Sequence, residues 1–392
     1  MAGRMHVPIA RTCLTEADHL SVMEPLHTGW LVQGPKVREF ENLWSAFSGA
    51  PHSIAVTSCT SGLHLILTAL GFSPGDEAIV PAFTWAATAN VVELLGGRVR
   101  FCDIDLATFN LDVDRAEALV TPRTRAIIPV HLFGLPADMD AVATLAAGRN
   151  LSVIEDAACG FGSRIRGRHV GTFGTAGCFS FHPRKSITTG EGGMITTADE
   201  QLAARVRQLR DHGAAVSDLH RHEAPRPYEL ADHPDAGYNQ RMTDIQAALG
   251  VSQMHRADDI LEERRRLARR YDEGLQSLSW LRLPQAADGY QHGYQSYPCL
   301  FAPEPFEPDR VLPIGRLRAR LMDHLLYHGI STRPATHAPP SLSYFQRKYG
   351  LVPSDYPQAF AAHHCSLSLP LFNGMTTAEQ DHVIEVLLRY AP

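Results

Sequence analysis

The chain reads as an α/β fold, with a mostly parallel central sheet, flanking helices and a smaller α/β unit at the carboxyl end. Three observations predict it. From Ser53 onward, short β-branched runs alternate with amphipathic stretches at a spacing that requires crossover connections. Beyond Thr175, two apolar runs are separated only by a short loop, which favours antiparallel neighbours. A long helical pattern then leads into a second strand-and-helix region. With 392 residues and 44% hydrophobic content there is ample core for two domains, expected at 1–250 and 251–392.

The elements follow in order. Ser53 to Thr57 is an apolar strand, followed by a helix from Ser61 to Leu70. Ala78 to Pro81 and Val99 to Asp103 are strands around a helix from Ala86 to Leu95, and Ala126 to Val130 and Leu151 to Glu155 flank a helix near Asp138 to Ala147. Ala176 to Phe181 and Met194 to Thr197 are the antiparallel pair, and a helix near Gln201 to Leu209 follows. Val216 to Pro234, rich in His, Pro, Arg and Asp without an apolar period, is expected to be a mobile surface loop. Helical periodicity runs from Met242, with a break, to Leu278. Strands are expected at Ser296 to Phe301 and Ile330 to Arg333, with helices near Gly315 to His328 and from about Ala378 to Tyr390. Thr376 and Glu379 have capping-box spacing for the last of these.

Charge and composition narrow the function classes. A formal charge of −6, with both signs interspersed, offers no basic stripe for nucleic acid and no polybasic membrane anchor. The amino terminus lacks an apolar signal core and no eighteen apolar residues run together, so a cytoplasmic protein is expected. Seven scattered cysteines without a Cys-x-x-Cys pair argue against a disulfide framework and a zinc knuckle. His220-Arg221-His222 and His363-His364 lack metal-site spacing, so no metal is expected.

Chemistry concentrates in a few motifs. Ser180 to Gly193 reads Ser-Phe-His-Pro-Arg-Lys-Ser-Ile-Thr-Thr-Gly-Glu-Gly-Gly and sets Lys185 between an apolar strand and a glycine-rich turn. An amine attacks an aldehyde only when unprotonated, and desolvation beside a cation such as Arg184 favours that form. Gly190, Gly192 and Gly193 let the backbone fold closely around a bound group. Asp156, in Val-Ile-Glu155-Asp-Ala-Ala-Cys-Gly, ends an apolar strand. There it is either a partner for a protonated pyridine nitrogen or a helix N-cap. Thr57-Ser-Cys-Thr60-Ser61-Gly62 joins strand to helix and is either a phosphate cradle or an ordinary cap. Trp85 either lies against a planar ring or belongs to the core. Gly160-Phe-Gly162 lacks the third glycine of a dinucleotide fingerprint.

Taken jointly, these motifs resemble the DegT/DnrJ/EryC1/StrS family of sugar aminotransferases, which use pyridoxal 5′-phosphate. The likeness runs from Gly29-Trp-Leu-Val-Gln-Gly-Pro through Pro129-Val-His-Leu-Phe-Gly, Glu155-Asp-Ala-Ala, Phe179-Ser-Phe-His-Pro-Arg-Lys and Thr189-Gly-Glu-Gly-Gly to Gly237-Tyr-Asn-Gln-Arg-Met-Thr-Asp-Ile-Gln-Ala-Ala-Leu-Gly. It implies a fold-type I transferase in which Lys185 forms the imine with the cofactor and moves the proton, while Asp156 partners the pyridine nitrogen. By the same resemblance Thr60, Ser61 and Ser180 bind the phosphate and Trp85 covers the ring. Asn239 matches an asparagine donated to the phosphate by the neighbouring subunit, which implies a homodimer with shared sites. Cys159 departs from the glutamine that many relatives place near the cofactor's phenolic oxygen, and a thiol is a poor donor there.

The function implied is transfer of an amino group from glutamate or glutamine to a keto-sugar, nucleotide-linked, in secondary-metabolite or surface-glycan biosynthesis, with ping-pong kinetics. A keto-cyclitol or another non-nucleotide cyclic ketone is the alternative acceptor. A non-catalytic regulatory homologue is disfavoured because Lys185 and Asp156 are both retained, where dehydrating relatives carry histidine at the lysine position. Substrate contacts are sought at His337 and in the Val216 to Pro234 loop.

Overall fold

Two helices, α1 (Glu16–Thr28) and α2 (Pro35–Ser48), precede the first strand in the computed structural model, which describes residues 5–226, 228–304, 307 and 309–392. Neither was expected from the sequence pattern. Pro35 opens α2 at its first turn, where a missing N–H costs no hydrogen bond. There follow β1 (His52–Val56), α3 (Cys59–Ala69), β2 (Glu77–Pro81), α4 (Ala86–Leu94), β3 (Arg98–Cys102), α5 (Val113–Glu117), β4 (Thr124–Ile127), α6 (Met139–Arg149) and β5 (Ser152–Asp156). Short strands β6 (Arg164–Ile165) and β7 (Arg168–His169) lead to β8 (Ala176–Ser180) and β9 (Gly193–Thr197), then α7 (Glu200–Arg210) and α8 (Asp218–Glu223).

The carboxyl-terminal half begins with α9 (Asp244–Met254) and α10 (Ala257–Leu275). It continues with β10 (Leu281–Arg282), β11 (Tyr290–Gln291), β12 (Tyr297–Phe301), α11 (Val311–Tyr327), α12 (Ser343–Tyr349), α13 (Pro357–Cys365), β13 (Ser366–Leu369) and α14 (Thr377–Leu388). The break in the long helical stretch falls at His255 and Arg256, and position 250 lies inside α9. As the spacing required, Thr376 caps α14 by accepting from Glu379 N–H, while Glu379 reaches back to Thr376.

Seven strands form one sheet in the order β1-β9-β8-β5-β4-β2-β3. β2, β3, β4, β5 and β8 are parallel neighbours, and β9 runs antiparallel to both β1 and β8, as the short lysine loop required. Both faces are buried, and the alternation is explicit. Ile54, Val56, Ala78, Val80, Ile154 and Cys178 pack into one core, whereas Ala55, Phe179 and Met194 face a second and Ile79, Ile127 and Val153 a third. A second antiparallel sheet, β10-β12-β13, belongs to the carboxyl-terminal half; a third, β11-β6-β7, ties that half to the first.

Two expectations are corrected. Ile330 to Arg333 makes only single bridges, Ile330 to Val7 and Arg333 to Ser368, because Pro334 lacks the N–H that a longer ladder needs. The Val216 to Pro234 stretch holds the short helix α8, begun by Ser217 accepting from His220 N–H, a capping signal that apolar periodicity does not reveal. Residue 227 of this stretch lies outside the described residues.

Glu155, fully buried beside Asp156 on β5, belongs to the frame. Its carboxylate accepts from the N–H groups of Gly171, Phe173 and Gly174 at 2.5 to 2.7 Å and lies 2.9 Å from His131 Nε2. Glu155→Ala would orphan three buried donors at once. It is expected to cost about 3–5 kcal/mol, read as a lower thermal midpoint, with Glu155→Gln retaining part of the loss.

Candidate active site

Five strand ends open on one side of the main sheet, where open α/β sheets hold ligands. β1 runs into Ser58 and Thr60, β2 into Thr84 and Trp85, β4 toward Val130, β5 into Asp156 and Cys159, and β8 into Ser180 and Lys185; all of these line one cavity of about 570 Å³. The carboxyl-terminal half closes the other side with Gln295, Arg333 and His337.

Local chemistry sets each side chain. Ser58 caps α3, its hydroxyl accepting from Ser61 N–H at 3.0 Å, and Gly193 permits the close approach of β9 to this turn. A Cβ on Gly193 would stand 2.6 Å from the Ser58 carbonyl carbon. Gly193 therefore fits the end of the lysine loop against the protein's own helix start. Gly190 is a second case, turning the loop at φ 80°.

Lys185 is half-buried, and its ammonium donates to Cys159 Sγ at 3.2 Å. Its loop is held by Gln253, whose amide accepts from Thr188 N–H at 3.0 Å and donates to Thr188 O at 2.6 Å. Asp156 is buried at the cavity floor. One oxygen accepts from the Thr88 hydroxyl at 2.7 Å, the other from Ala158 N–H at 3.2 Å. No helix starts at Asp156, so the N-cap alternative falls. The Cys59 thiol lies 3.9 Å from the carboxylate, and contact with Cys178, burial and the Asp156 charge all push it up from its ordinary pKa.

Trp85 precedes α4 with 58% of its surface exposed, which removes the core alternative. Its ring centre is 5.6 Å from that of His337, while Thr84 N–H donates to His337 O at 3.0 Å. The two halves of the chain thus meet across the cavity mouth. Burial and the Arg184 charge hold His182 below its usual pKa, and the same two causes act on Arg333.

Six of the eight sequence-derived positions line the cavity: Thr60, Trp85, Asp156, Cys159, Ser180 and Lys185. Ser61 does not line it. Its hydroxyl lies 3.0 Å from those of both Thr57 and Ser58. Asn239 is exposed and lies outside its own chain's cavity. His337 lines the cavity, and none of the described residues of Val216 to Pro234 does. Sequence reasoning missed Thr88, Gln295 and Arg333. Thr88 had a signal, standing one helical turn after Trp85 on the helix that follows β2.

A concave site joining a primary amine, a buried carboxylate and a hydroxyl-rich helix start has the functions needed to bind an aldehyde, a ring cation and a phosphate. The family model for the DegT/DnrJ/EryC1/StrS aminotransferase family matches residues 12–388. The chain is 37% identical over 382 residues to the spore coat polysaccharide biosynthesis protein SpsC of Bacillus subtilis, covering 97% of this chain and 96% of that protein. Among solved structures, the putative sugar aminotransferase Spr1654 of Streptococcus pneumoniae in its PMP form superposes with a TM-score of 0.89 at 28% identity, covering 97% of this chain and 98% of that one. DesV of S. venezuelae, solved in complex with a ketimine intermediate, gives 0.87 at 29% identity over 99% and 100% of the two chains. The fold, the cavity and these matches together assign the chain to the DegT/DnrJ/EryC1/StrS aminotransferase family, as a pyridoxal phosphate-dependent aminotransferase.

Proposed function

We propose that this enzyme moves an amino group from glutamate or glutamine to a keto-sugar, nucleotide-linked, in secondary-metabolite or surface-glycan biosynthesis. The observation that carries the reading is that Lys185 and Asp156, at the ends of neighbouring strands β8 and β5, face one cavity. The similarity to the spore coat polysaccharide biosynthesis protein SpsC and to the putative sugar aminotransferase Spr1654 supports a sugar acceptor.

The residues present fit the cofactor. Asp156 offers a buried carboxylate to a ring nitrogen, Thr60 and Ser180 offer hydroxyls to a phosphate, with Ser61 behind them, and Trp85 offers an indole face to the ring. Bound there, pyridoxal phosphate supplies an electron sink for the carbon that exchanges its amine. Lys185 supplies the covalent anchor and, once displaced by substrate amine, a base within reach of that carbon. Cys159 holds the Lys185 amine at 3.2 Å through its sulfur. Residues 1–250 are read as the cofactor-binding unit and 251–392 as the unit that closes over it, since Gln295, Arg333 and His337 come from the latter. The test is a panel of keto-sugar nucleotides and keto-cyclitols offered to the pyridoxamine form; turnover confined to cyclitols would replace the sugar reading.

A homodimer with shared sites completes the proposal. Asn239 is exposed outside its own cavity, and α1 and the turn after it expose Leu20, Met23, Leu26, Leu31 and Val32, an apolar surface that a second copy would cover. Lys185→Ala and Asn239→Ala proteins are each expected to be impaired. Unfolding and refolding them together should restore turnover that neither parent shows, because one site of the hybrid draws both intact residues. Activity that stays at the level of the two parents would place Asn239 in its own chain's site.

A further inference from the structure

A second cavity, of about 530 Å³, opens at the opposite end of the main sheet from the catalytic one. Its walls are the end of α2 with Phe47, the β6–β7 hairpin with Arg164 and Arg168, the loop before β8 with Thr172, and Ala198 after β9. β1 runs from this cavity toward the catalytic one, and its five residues span roughly 17 Å, which makes the two separate sites. No carboxylate is among the described residues that line it. Asp199, next in the chain to Ala198, is engaged as the cap of α7, accepting from Gln201 and Leu202 N–H.

Both guanidiniums are held by neutral groups. Arg164 lies over the Phe47 ring at 5.6 Å and donates to Gly167 O at 3.0 Å and Phe47 O at 3.2 Å. Arg168 lies over the Phe173 ring at 4.4 Å and donates to Thr172 Oγ1 at 3.1 Å and to Thr172 O. These supports fix where the two cations stand without neutralising either, and each donor fork keeps N–H groups for a ligand. The backbone offers little there, because Gly171, Phe173 and Gly174 N–H are taken from the inner side by Glu155. Recognition at this cavity therefore falls to the two arginines.

We propose that this cavity is a second ligand site, in which Arg164 and Arg168 bind a diphosphate group. Two pre-placed guanidiniums in one concave wall suit an anion with more than one charged group, and their fork geometry matches phosphate oxygens. The volume is that of a small-molecule site and exceeds the needs of a lone phosphate. The diphosphate has two possible sources, free pyrophosphate and a nucleoside diphosphate. Occupancy also fastens the loop that Glu155 holds from within, so the thermal midpoint rises with ligand by mass action.

The test is a calorimetric titration of the holoenzyme with inorganic pyrophosphate, orthophosphate and uridine diphosphate at fixed ionic strength. Pyrophosphate is expected to bind about tenfold or more tighter than orthophosphate, with a Kd that saturating amino donor leaves unchanged. Arg164→Gln and Arg168→Gln should each weaken it about 10- to 100-fold, with partial recovery in Arg164→Lys and Arg168→Lys. Turnover without added diphosphate should stay at the unaltered level in all four. Ala198→Glu sets a carboxylate at the exposed rim without touching either arginine and should abolish binding, which keeps the test decisive if an arginine variant fails to fold. Uridine diphosphate binding tighter than pyrophosphate would name a nucleoside diphosphate as the source, and equal binding would name free pyrophosphate; both sustain the site. Absence of pyrophosphate binding would overturn the proposal, as would a Kd unchanged by these substitutions. So would orthophosphate binding as tightly, or competition by the amino donor, which would move the anion to the catalytic cavity.

Discussion

Lys185→Ala is expected to lose turnover by about 10⁴-fold or more while keeping its fold, since the substitution removes the side chain proposed as both covalent anchor and proton carrier. The physical reason for the clean separation lies in the loop. Lys185 contributes one side-chain hydrogen bond, to Cys159, whereas the loop's shape rests on the Gln253–Thr188 pair, on Thr189 N–H donating to Phe181 O at 3.0 Å, and on Lys185's own N–H donating to His182 O at 2.8 Å. All of these survive the substitution. A half-buried lysine whose one side-chain hydrogen bond goes to a thiol costs little when truncated, within about 0.5 kcal/mol. The measurement pairs a thermal melt with absorbance of the protein–cofactor complex and a donor half-reaction. An unchanged half-reaction rate would remove Lys185 from the chemistry. A melt several degrees lower would show that the loop depends on the side chain after all.

Cys159→Ala offers a milder companion result. Removing the sulfur frees the Lys185 amine from its one side-chain hydrogen bond among the described residues, at 3.2 Å, without touching the floor of the cavity. A change of about tenfold or less in the half-reaction is expected, roughly the worth of one weak hydrogen bond. A complete loss would instead mark the thiol as a reacting group.

What the sequence made legible follows from the range of the forces involved. The parallel strands of the main sheet are short apolar runs between turn residues, and their burial on both faces leaves a strong local pattern; all of β1 to β5, β8 and β9 lie within a residue or three of the expected spans. The site residues ride on the ends of those same strands, which is why Asp156, Ser180 and Lys185 were readable once the strands were. β13 was not. Its four residues Ser366 to Leu369 follow α13 without a turn residue between them, and they become a strand only by pairing with β12, some seventy residues earlier in the chain. Arg333 and Gln295 were hidden for the same reason. Each reaches the cavity because the carboxyl-terminal half folds back across the strand ends, and no periodicity records that contact. α8 shows the opposite failure, a helix too short for a periodic signal and specified by the Ser217 cap alone.

Asp156→Asn should leave a folded protein that binds the cofactor's phosphate but turns over about 10²-fold or more slowly, the loss expected when a buried charge-assisted bond becomes a neutral one. Asparagine has the same shape, so the test isolates charge. The surrounding donors can adapt in part. The Thr88 hydroxyl is 3.1 Å from Thr84 Oγ1, so it can donate there and accept from the new amide, while Ala158 N–H keeps the remaining oxygen. The stability cost is then about 1–2 kcal/mol, not the larger penalty of an orphaned group. Asp156→Ala has no such compensation, leaving Thr88 and Ala158 without their acceptor in a site 5% exposed, and it should lose both stability and cofactor. Thr88→Val separates position from charge. It keeps the carboxylate but removes the hydroxyl that aims it, and a fall of about tenfold in kcat with unchanged cofactor uptake is expected. Equal activity for Asp156→Asn and the unaltered enzyme would mean that the ring nitrogen needs no anionic partner. The electron sink would then have to draw on another group at the floor of the cavity, where the described residues offer only the Cys59 thiol, held protonated by burial and by its contact with Cys178.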